Sequence, residues 1–475
     1  MLAALLVAQA ALPPQARLEA AALEAVAASC PGQRISIAQD LTRACRAFAA
    51  AVQAQRSPVS GSAASFFASL ESSEPAPVAG VATVSPLGGA DRAVSELFPT
   101  TCRFNRVGVA AARLQDGEAL VCMLTAPHGT DLDPIPGRVE ALDEVKVSGT
   151  LARGLSKPRL FVTRPSGEVQ EQKIAASGAS FSAKVRLAET GEHSIEVLAE
   201  GPGGPQVVAT RRVFAGVDPP SSPPAEPKAG KGLAGVEAAI AQLRAAHGLP
   251  PLERDAQLDA VAEGHSREMA RTKTFAHVLP SDGSLTDRLR ARGYAYRSAG
   301  ENIGLSDDPA TAHEAIVQSP AHLSNLLDPR HRRLGLGAVK GPTAEGTEGV
   351  YLTEVLAAPV VGSADPVGEI AGVLARERKK RGLPALVRDP ALDDVAGHEV
   401  RAAALSDKTR LPPLTDLPGV SEAVGELTVS SAPDELAGSK NNAEPKWTRL
   451  GVGAMYASSK QFGPGRLWVV LLYGR

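Results

Sequence analysis

The stretch FAHVLPSDGSLTDRLRARGY (275–294), followed by AGENIG (299–304) and SPAHLSNLLDP (319–329), decides how this chain is read. Each segment carries one residue able to do chemistry: His277, Glu301 and His322. The intervals between them, 24 and 21 residues, exceed the reach of a helix turn, so only tertiary structure can bring them together. Imidazole, carboxylate and imidazole are donors from which proteins build divalent metal sites. If one ion were shared, the two imidazoles would have to approach within about 4 Å, since each nitrogen sits about 2.1 Å from zinc. The expected setting is a single solvent-open cleft.

Local chemistry places these residues on elements. Ser319 followed by Pro320 starts a helix, with a hydroxyl cap and a proline at the first position, where no N–H is needed. His322 and Asn325 then share a face, while Leu323, Leu326 and Leu327 supply the buried one. Upstream, Leu233, Val236, Ile240 and Leu243 recur at helical spacing, and Gly248 stands where a C-terminal cap belongs. A second helix carries Leu258, Val261, Ala262, His265 and Met269 on one stripe, so His265 reads as a core histidine. His331, in DPRHRRLG, reads as solvated in a basic turn, and ERKKR (377–381) as a solvated helix end.

The chain also repeats itself. HGLPPLERDAQLDAVA (247–262) returns as RGLPALVRDPALDDVA (381–396), an offset of 134. Gly300 and Glu301 match Gly425 and Glu426, RLGLGA (333–338) matches RLGVGA (449–454), and VYLTEVL (350–356) matches LWVVLLY (467–473). Both histidines are missing from the second copy, where Gly438 falls at the place of His322. NRVGVAA (105–111) and ALVCMLT (119–125) suggest a third, earlier and degenerate copy, the alternative being an unrelated disulfide-bonded α+β unit.

These motifs carry a resemblance. Residues 235–356 resemble the CAP superfamily of cysteine-rich secretory proteins, antigen 5 allergens and pathogenesis-related proteins, in particular its bacterial extracellular SCP-like branch. HGLPPLERDAQLDAVA, FAHVLPSDGSLTDRLRARGY, AGENIG, SPAHLSNLLDP, RRLGLGAV and VYLTEVL follow one another in the family's order. The resemblance implies an α-β-α sandwich whose cavity residues are His277, Glu301 and His322, with Ser319 and Asn325 beside them. Many members supply a tryptophan and a second glutamate before the last histidine. This chain has Ile316 and Ser319 there, leaving Glu314 as a loose substitute. The implied metal set is therefore His277 and His322 with zinc, weakly held. Implied ligands are a sterol or other lipid, a glycan, another small ligand or an envelope protein.

Outside this region the chain changes character. Between 139 and 216, Val145 with Val147, Phe181 with Ala183, Val185 and Leu187, and Ile195 with Val197 alternate, with Gly, Pro and Ser clusters between runs. Period two with such punctuation predicts an antiparallel, immunoglobulin-like sandwich. DPPSSPPAEPKAGKG follows as a stiff spacer. The expected order is a signal segment (1–16), a cysteine-containing CAP-like module (17–127), the sandwich (139–216), a Pro-rich linker (217–232), the CAP module (233–360) and a degenerate copy (365–475). The fold class is α+β.

Composition narrows the function. With 50 basic against 52 acidic residues over 475, there is no electrostatic footprint for nucleic acid. No run approaches the ~18 apolar residues of a membrane span. MLAALLVAQAALPPQA has the apolar core and small residues of a secretory signal, though no basic start, and points to a secreted or cell-envelope protein. Cys30, Cys45, Cys102 and Cys122 agree with an oxidising compartment. Two disulfides are expected, with Cys30–Cys45 and Cys102–Cys122 the nearest of three connectivities; a four-cysteine zinc site lacks any CxxC pair.

Two functions fit. One is a ligand-binding module. The other is a zinc-assisted hydrolase of peptides, esters or glycans, with Glu301 as base on a metal-bound water. Two histidines are one ligand short of the usual catalytic zinc site, and a ligating glutamate cannot also be the free base. No GxSxG, HExxH or catalytic cysteine is present. Binding is favoured.

Overall fold

The computed structural model describes residues 14–84, 102, 104–224, 232–344, 346–360, 365–414, 417 and 419–475. Most of the expected signal segment lies outside the described residues, as does the second half of the Pro-rich linker.

The three glycine-containing strand motifs explain the architecture. In the central region, α4 (Gly232–Ala246), β14 (Glu253–Arg254), α5 (Ala256–Thr272), α6 (Leu285–Ala291), β15 (Tyr296–Ser306), α7 (Pro309–Gln318), α8 (Pro320–Leu326), β16 (Arg333–Pro342) and β17 (Glu348–Pro359) follow in order. Their sheet has the order β14-β16-β17-β15, with β14 parallel to β16 and the other pairs antiparallel. Gly335 and Gly337 lie under α5, where an added Cβ would stand 2.2 Å from Leu258 C and 2.1 Å from Glu263 N. Only glycine lets the helix come that close. On one face of the sheet, α4, α7 and α8 bury Val236, Ile240, Ala312, Ile316 and Leu326. On the other, α5 buries Leu258, Val261 and Ala262 against Val355 and Ala357.

The C-terminal region repeats this layering. Helices α9 (Pro366–Lys380) and α10 (Pro390–Ser406) flank β18 (Val387–Arg388), β19 (Ala423–Ser430), β20 (Arg449–Ser459) and β21 (Gly463–Gly474), in the order β18-β20-β21-β19 and with the same pairing senses. Strand β21 is an unbroken apolar run because both its faces are covered. Leu467, Val469, Leu471 and Tyr473 face α9, while Trp468, Val470 and Leu472 face α10. Gly451 and Gly453 again sit beneath the helix.

The N-terminal region shows the pattern a third time. Here α1 (Pro14–Ser29), β1 (Ser36–Ile37), α2 (Gln39–Gln53), α3 (Gly61–Glu71), β2 (Val78–Val84), β3 (Arg106–Arg113) and β4 (Ala119–Ala126) form the sheet β1-β3-β4-β2 between α1 and the α2–α3 pair. A Cβ on Gly108 would stand 2.4 Å from the backbone of Leu41 in α2.

This layering overturns the expected disulfides. Cys30, at the end of α1, lies on one face of the sheet, whereas Cys45 on α2 and Cys122 on β4 point into the core on the other. The sheet separates the sequence neighbours. Cys30 bonds Cys102 instead, while Cys45 and Cys122 remain buried thiols, and burial pushes the Cys45 thiol up. The same separation rules out a four-cysteine site.

Between the N-terminal and central regions, strands from β5 (Thr130–Leu132) to β13 (Gly204–Ala215) form two sheets. One has the order β10 (Ala175–Ser177), β11 (Ser180–Arg186), β7 (Glu144–Leu151), β5; the other is β6 (Arg138–Val139), β13, β12 (Gly191–Gly201), β8 (Ser156–Thr163), β9 (Val169–Gln172). Val145, Val147, Phe181, Val185, Ile195 and Val197 fill the space between them.

The regions touch one another. Thr210 N–H donates to Ser73 O (3.0 Å), and the Arg212 guanidinium to Ser69 Oγ (3.0 Å). Arg290 donates to Gln461 O (3.1 Å), Arg297 pairs with Asp434, and Arg466 lies over the Tyr296 ring at 5.1 Å. No helix among the described residues is long and apolar enough to cross a membrane.

Candidate functional site

Glu301 is the centre of the site. It lies on β15 opposite Val355 and is only 8% exposed, so its charge needs partners. His277, in the loop after α5, places Nδ1 3.0 Å from Glu301 Oε1. Arg288 of α6, also buried, donates from Nη2 to Oε2. Burial alone would push the Glu301 carboxyl up, but the His277 hydrogen bond and the Arg288 charge outweigh it and hold it below the usual range.

His322 enters from the opposite side. Ser319 caps α8, accepting from His322 N–H (3.5 Å), and Pro320 occupies the first helical turn. The His322 ring lies 6.2 Å from that of His277, centroid to centroid. Burial, with nearby His277 adding to it, pushes His322 down to about 4, so its imidazole is neutral at pH 7. Asn325, one turn on, donates to Asn302 Oδ1 (2.9 Å) and toward Glu301 O (3.4 Å). A Cβ on Gly300 would stand 3.0 Å from Asn325 Oδ1, which explains the glycine of AGENIG.

Behind this layer is a second network. Asn302 donates to Glu354 Oε2 (3.1 Å) and toward His322 O (3.3 Å), and His313 meets Glu354 Oε1 at 2.6 Å. The sequence drew attention to Glu314, but the buried neighbour is His313. His265 is buried and partnered at both ring nitrogens, by Asp282 Oδ2 (2.8 Å) and Ala276 O (3.1 Å), fixing the loop that carries His277. His331 is not solvated: it is 3% exposed and pairs with Asn325 O at 3.0 Å, because the chain after α8 folds back beneath the helix. Arg378 of ERKKR is likewise buried, donating to the carbonyls of Pro384, Asn442, Glu444 and Trp447. Arg244, 134 residues earlier, does the same for Pro250, Leu326, Asp328 and His331.

Arg288 and Glu354 were missed by sequence reasoning. The signal for Arg288 was a buried carboxylate without a cation; for Glu354, a charge inside an otherwise apolar strand.

The cleft is also covered rather than open. Ala321 N–H donates to Glu196 Oε1 (3.0 Å), and Val278 N–H to Gly203 O (3.0 Å), both acceptors belonging to the two-sheet region. The His277 side chain is 17% exposed.

As a zinc site the donor set fits poorly. His277 Nδ1 and both Glu301 oxygens are already engaged, which leaves two imidazoles. Among the described residues no group of three or more His, Cys, Asp or Glu is arranged to hold an ion.

With this geometry in view, the sequence profile of the cysteine-rich secretory protein family, CAP, matches residues 237–355. Residues 237–355 form a CAP domain. Over 98 residues, 20% of this chain, it is 34% identical to the uncharacterized protein YkwD of Bacillus subtilis (strain 168), and the match spans 38% of that relative's length. Among solved structures, the chain is similar to an outer surface protein of Borrelia burgdorferi (18% identity, 26% of this chain, 92% of that one, TM-score 0.24). It is also similar to an extracellular protein containing an SCP domain from Bacillus anthracis str. Ames (18% identity, 48% of this chain, 86% of that one, TM-score 0.24). His277, Glu301 and His322 all fall within the CAP domain.

Proposed function

We propose that this chain is a secreted or cell-envelope protein whose CAP domain binds a ligand at His277, Glu301, His322, Ser319 and Asn325, without catalysing a reaction there. One observation carries this reading: both oxygens of Glu301 are taken, by His277 and by Arg288. A carboxylate so engaged is tied to a buried guanidinium and an imidazole, and its depressed pKa makes it a weak base. His322 is a neutral, half-buried imidazole suited to a hydrogen bond with a bound group. Zinc, where it enters, is held weakly through His277 and His322.

The N-terminal and C-terminal regions are proposed to be degenerate CAP copies serving as scaffold. Their support is the shared strand order and the recurrence of Asp259 as Asp393: Asp259 accepts from Leu336 N–H (2.8 Å) and Asp393 from Val452 N–H (2.7 Å). In the C-terminal region Glu426 accepts from Ser439 (2.8 Å) and Asn441 N–H (3.1 Å), a purely structural use of the acid equivalent to Glu301. Export agrees with the Cys30–Cys102 bond.

The test is metal analysis of the purified protein beside a His277→Ala, His322→Ala double variant, with chelator-controlled assays on peptides, esters and glycans. Substoichiometric zinc and no hydrolysis are expected. Zinc-dependent turnover lost in a folded double variant would replace this reading with the hydrolase.

A further inference from the structure

The two-sheet region holds on to both histidine-bearing segments. On β12, Ile195 and Val197 point into the core between the sheets, so Glu196 points outward. An outward carboxylate on a sheet is ordinarily solvated, yet Glu196 is 1% exposed, because α8 lies across β8, β9 and β12. Its Oε1 accepts from Ala321 N–H, the Ser319 hydroxyl lies beside it, and its Oε2 has no hydrogen-bond partner. These contacts are made at the start of the helix that presents His322.

At the far end of β12, the turn into β13 lies on the loop that presents His277. Gly203 O accepts from Val278 N–H. A Cβ on Gly203 would stand 3.0 Å from Ala276 Cβ, and one on Gly204, at φ +92°, 3.3 Å from His277 Cβ. Gly204 supplies a backbone conformation that other residues rarely adopt, and both glycines ease the close approach to the loop.

The 276–278 strip has particular needs. Its Ala276 carbonyl is used by His265 and its His277 carbonyl by Arg288, so what it offers outward is the Val278 N–H. A partner must bring a carbonyl acceptor and little or no side chain at the point of contact. An extended polypeptide containing glycine does both.

We propose that the β12–β13 hairpin is the resident occupant of the recognition cleft, closing it over His277 and His322. The ligand admitted when it withdraws is a glycine-bearing polypeptide segment, bound in extended form through a carbonyl on Val278 N–H. This rests on the recognition reading above.

Full-length protein tests it with two variants. In Gly203→Cys/Ala276→Cys, oxidation by oxidised glutathione ties the hairpin down and reduction frees it, the wild type under the same reductant being the control. In Glu196→Arg/Gly204→Val, charge and bulk push the hairpin away. Diethyl pyrocarbonate acylation of His277 and His322 is followed by mass spectrometry, and binding by anisotropy of a fluorescein-labelled LAEGPGGPQV peptide, the sequence of residues 198–207. We expect acylation about tenfold faster in the opened than in the tethered form, since a site hidden by a closed state reacts in proportion to the open fraction. We expect peptide binding by the opened form and none by the tethered one. Equal acylation in oxidised and reduced forms of the cysteine pair overturns the cover, and that comparison decides alone if circular dichroism shows the opened variant unfolded. Exposed histidines with no peptide binding overturn the polypeptide ligand. Either failure leaves the recognition reading to be judged by its own metal and turnover assays.

Discussion

Arg288 and Glu301 form an ion pair with both members buried, and His277 closes the same carboxylate from its other oxygen. The charge at the heart of the CAP domain is therefore neutralised from within.

Removing Arg288 leaves the Glu301 carboxylate buried with only its His277 hydrogen bond, and breaking a buried ion pair costs about 3–5 kcal/mol. Arg288→Ala should destabilise the protein by that order in denaturant unfolding. The double variant Arg288→Met/Glu301→Leu should lose less than the sum of the single variants, and additive losses would show the pair to be uncoupled.

His322 gives a pH dependence of known sign. Its folded value of about 4 lies below the ordinary ~6.5 of an unfolded chain. Below pH 6.5 the unfolded state takes up a proton that the folded state refuses, so stability falls as pH drops toward 4. His322→Gln should flatten this part of the profile, and the gap between variant and wild type should change across pH 4–6.5. A constant gap would mean that His322 titrates normally.

Glu196 acts with the opposite sign. Burial raises it to about 7, with Ser319 and the Ala321 N–H only partly offsetting that rise. Its favourable contribution to docking of the two-sheet region is fully present below about 4.5 and lost as pH rises through about 7. Hydrogen exchange at Val278 N–H, corrected for intrinsic rate, should be less protected at pH 8 than at pH 5.5. Glu196→Gln should abolish that difference.

Gly337 and Gly453 face the same steric problem in different regions, with a Cβ falling 2.1 Å from helix backbone in both. Gly337→Ala and Gly453→Ala should each cost about 1–3 kcal/mol or more, the scale of overpacking in a rigid core. A tolerated Gly453→Ala in thermal unfolding would show that α10 does not rest on β20 as Gly453 requires.

Peptide mapping without reduction should join the segments of Cys30 and Cys102. Cys45 and Cys122 should react with a thiol reagent only after denaturation. A bond between Cys45 and either member of the Cys30–Cys102 pair would contradict the layering.

What the sequence revealed, and what it hid, follows from range. The Ser319–Pro320 helix start and the glycine of AGENIG rest on short motifs whose local geometry is self-contained, whereas the placing of His277, Glu301 and His322 depends on packing between elements far apart in the chain. The buried state of His331 and Arg378 was hidden, because a basic turn looks alike whether or not carbonyls converge on it. Arg288 sits in a helical segment whose residues read as surface until a carboxylate from β15 arrives. Glu196 was invisible for a stronger reason: its strand pattern correctly pointed it outward, and only a helix more than a hundred residues later covers it.

The crossed arrangement of α1 and α2 on opposite faces of the first sheet also dictates a timetable. On the export proposed above, a chain threaded N-terminus first into an oxidising compartment presents Cys45 soon after Cys30, and Cys102 only much later. Thiol–disulfide exchange favours whichever partner is near, so the first bond within reach is the wrong one. Correct maturation then requires either that α2 sequester Cys45 before it can react, or that a catalyst of disulfide exchange undo the early pairing. The biogenesis of this protein should therefore depend on an isomerase wherever Cys45→Ala makes its oxidative folding faster.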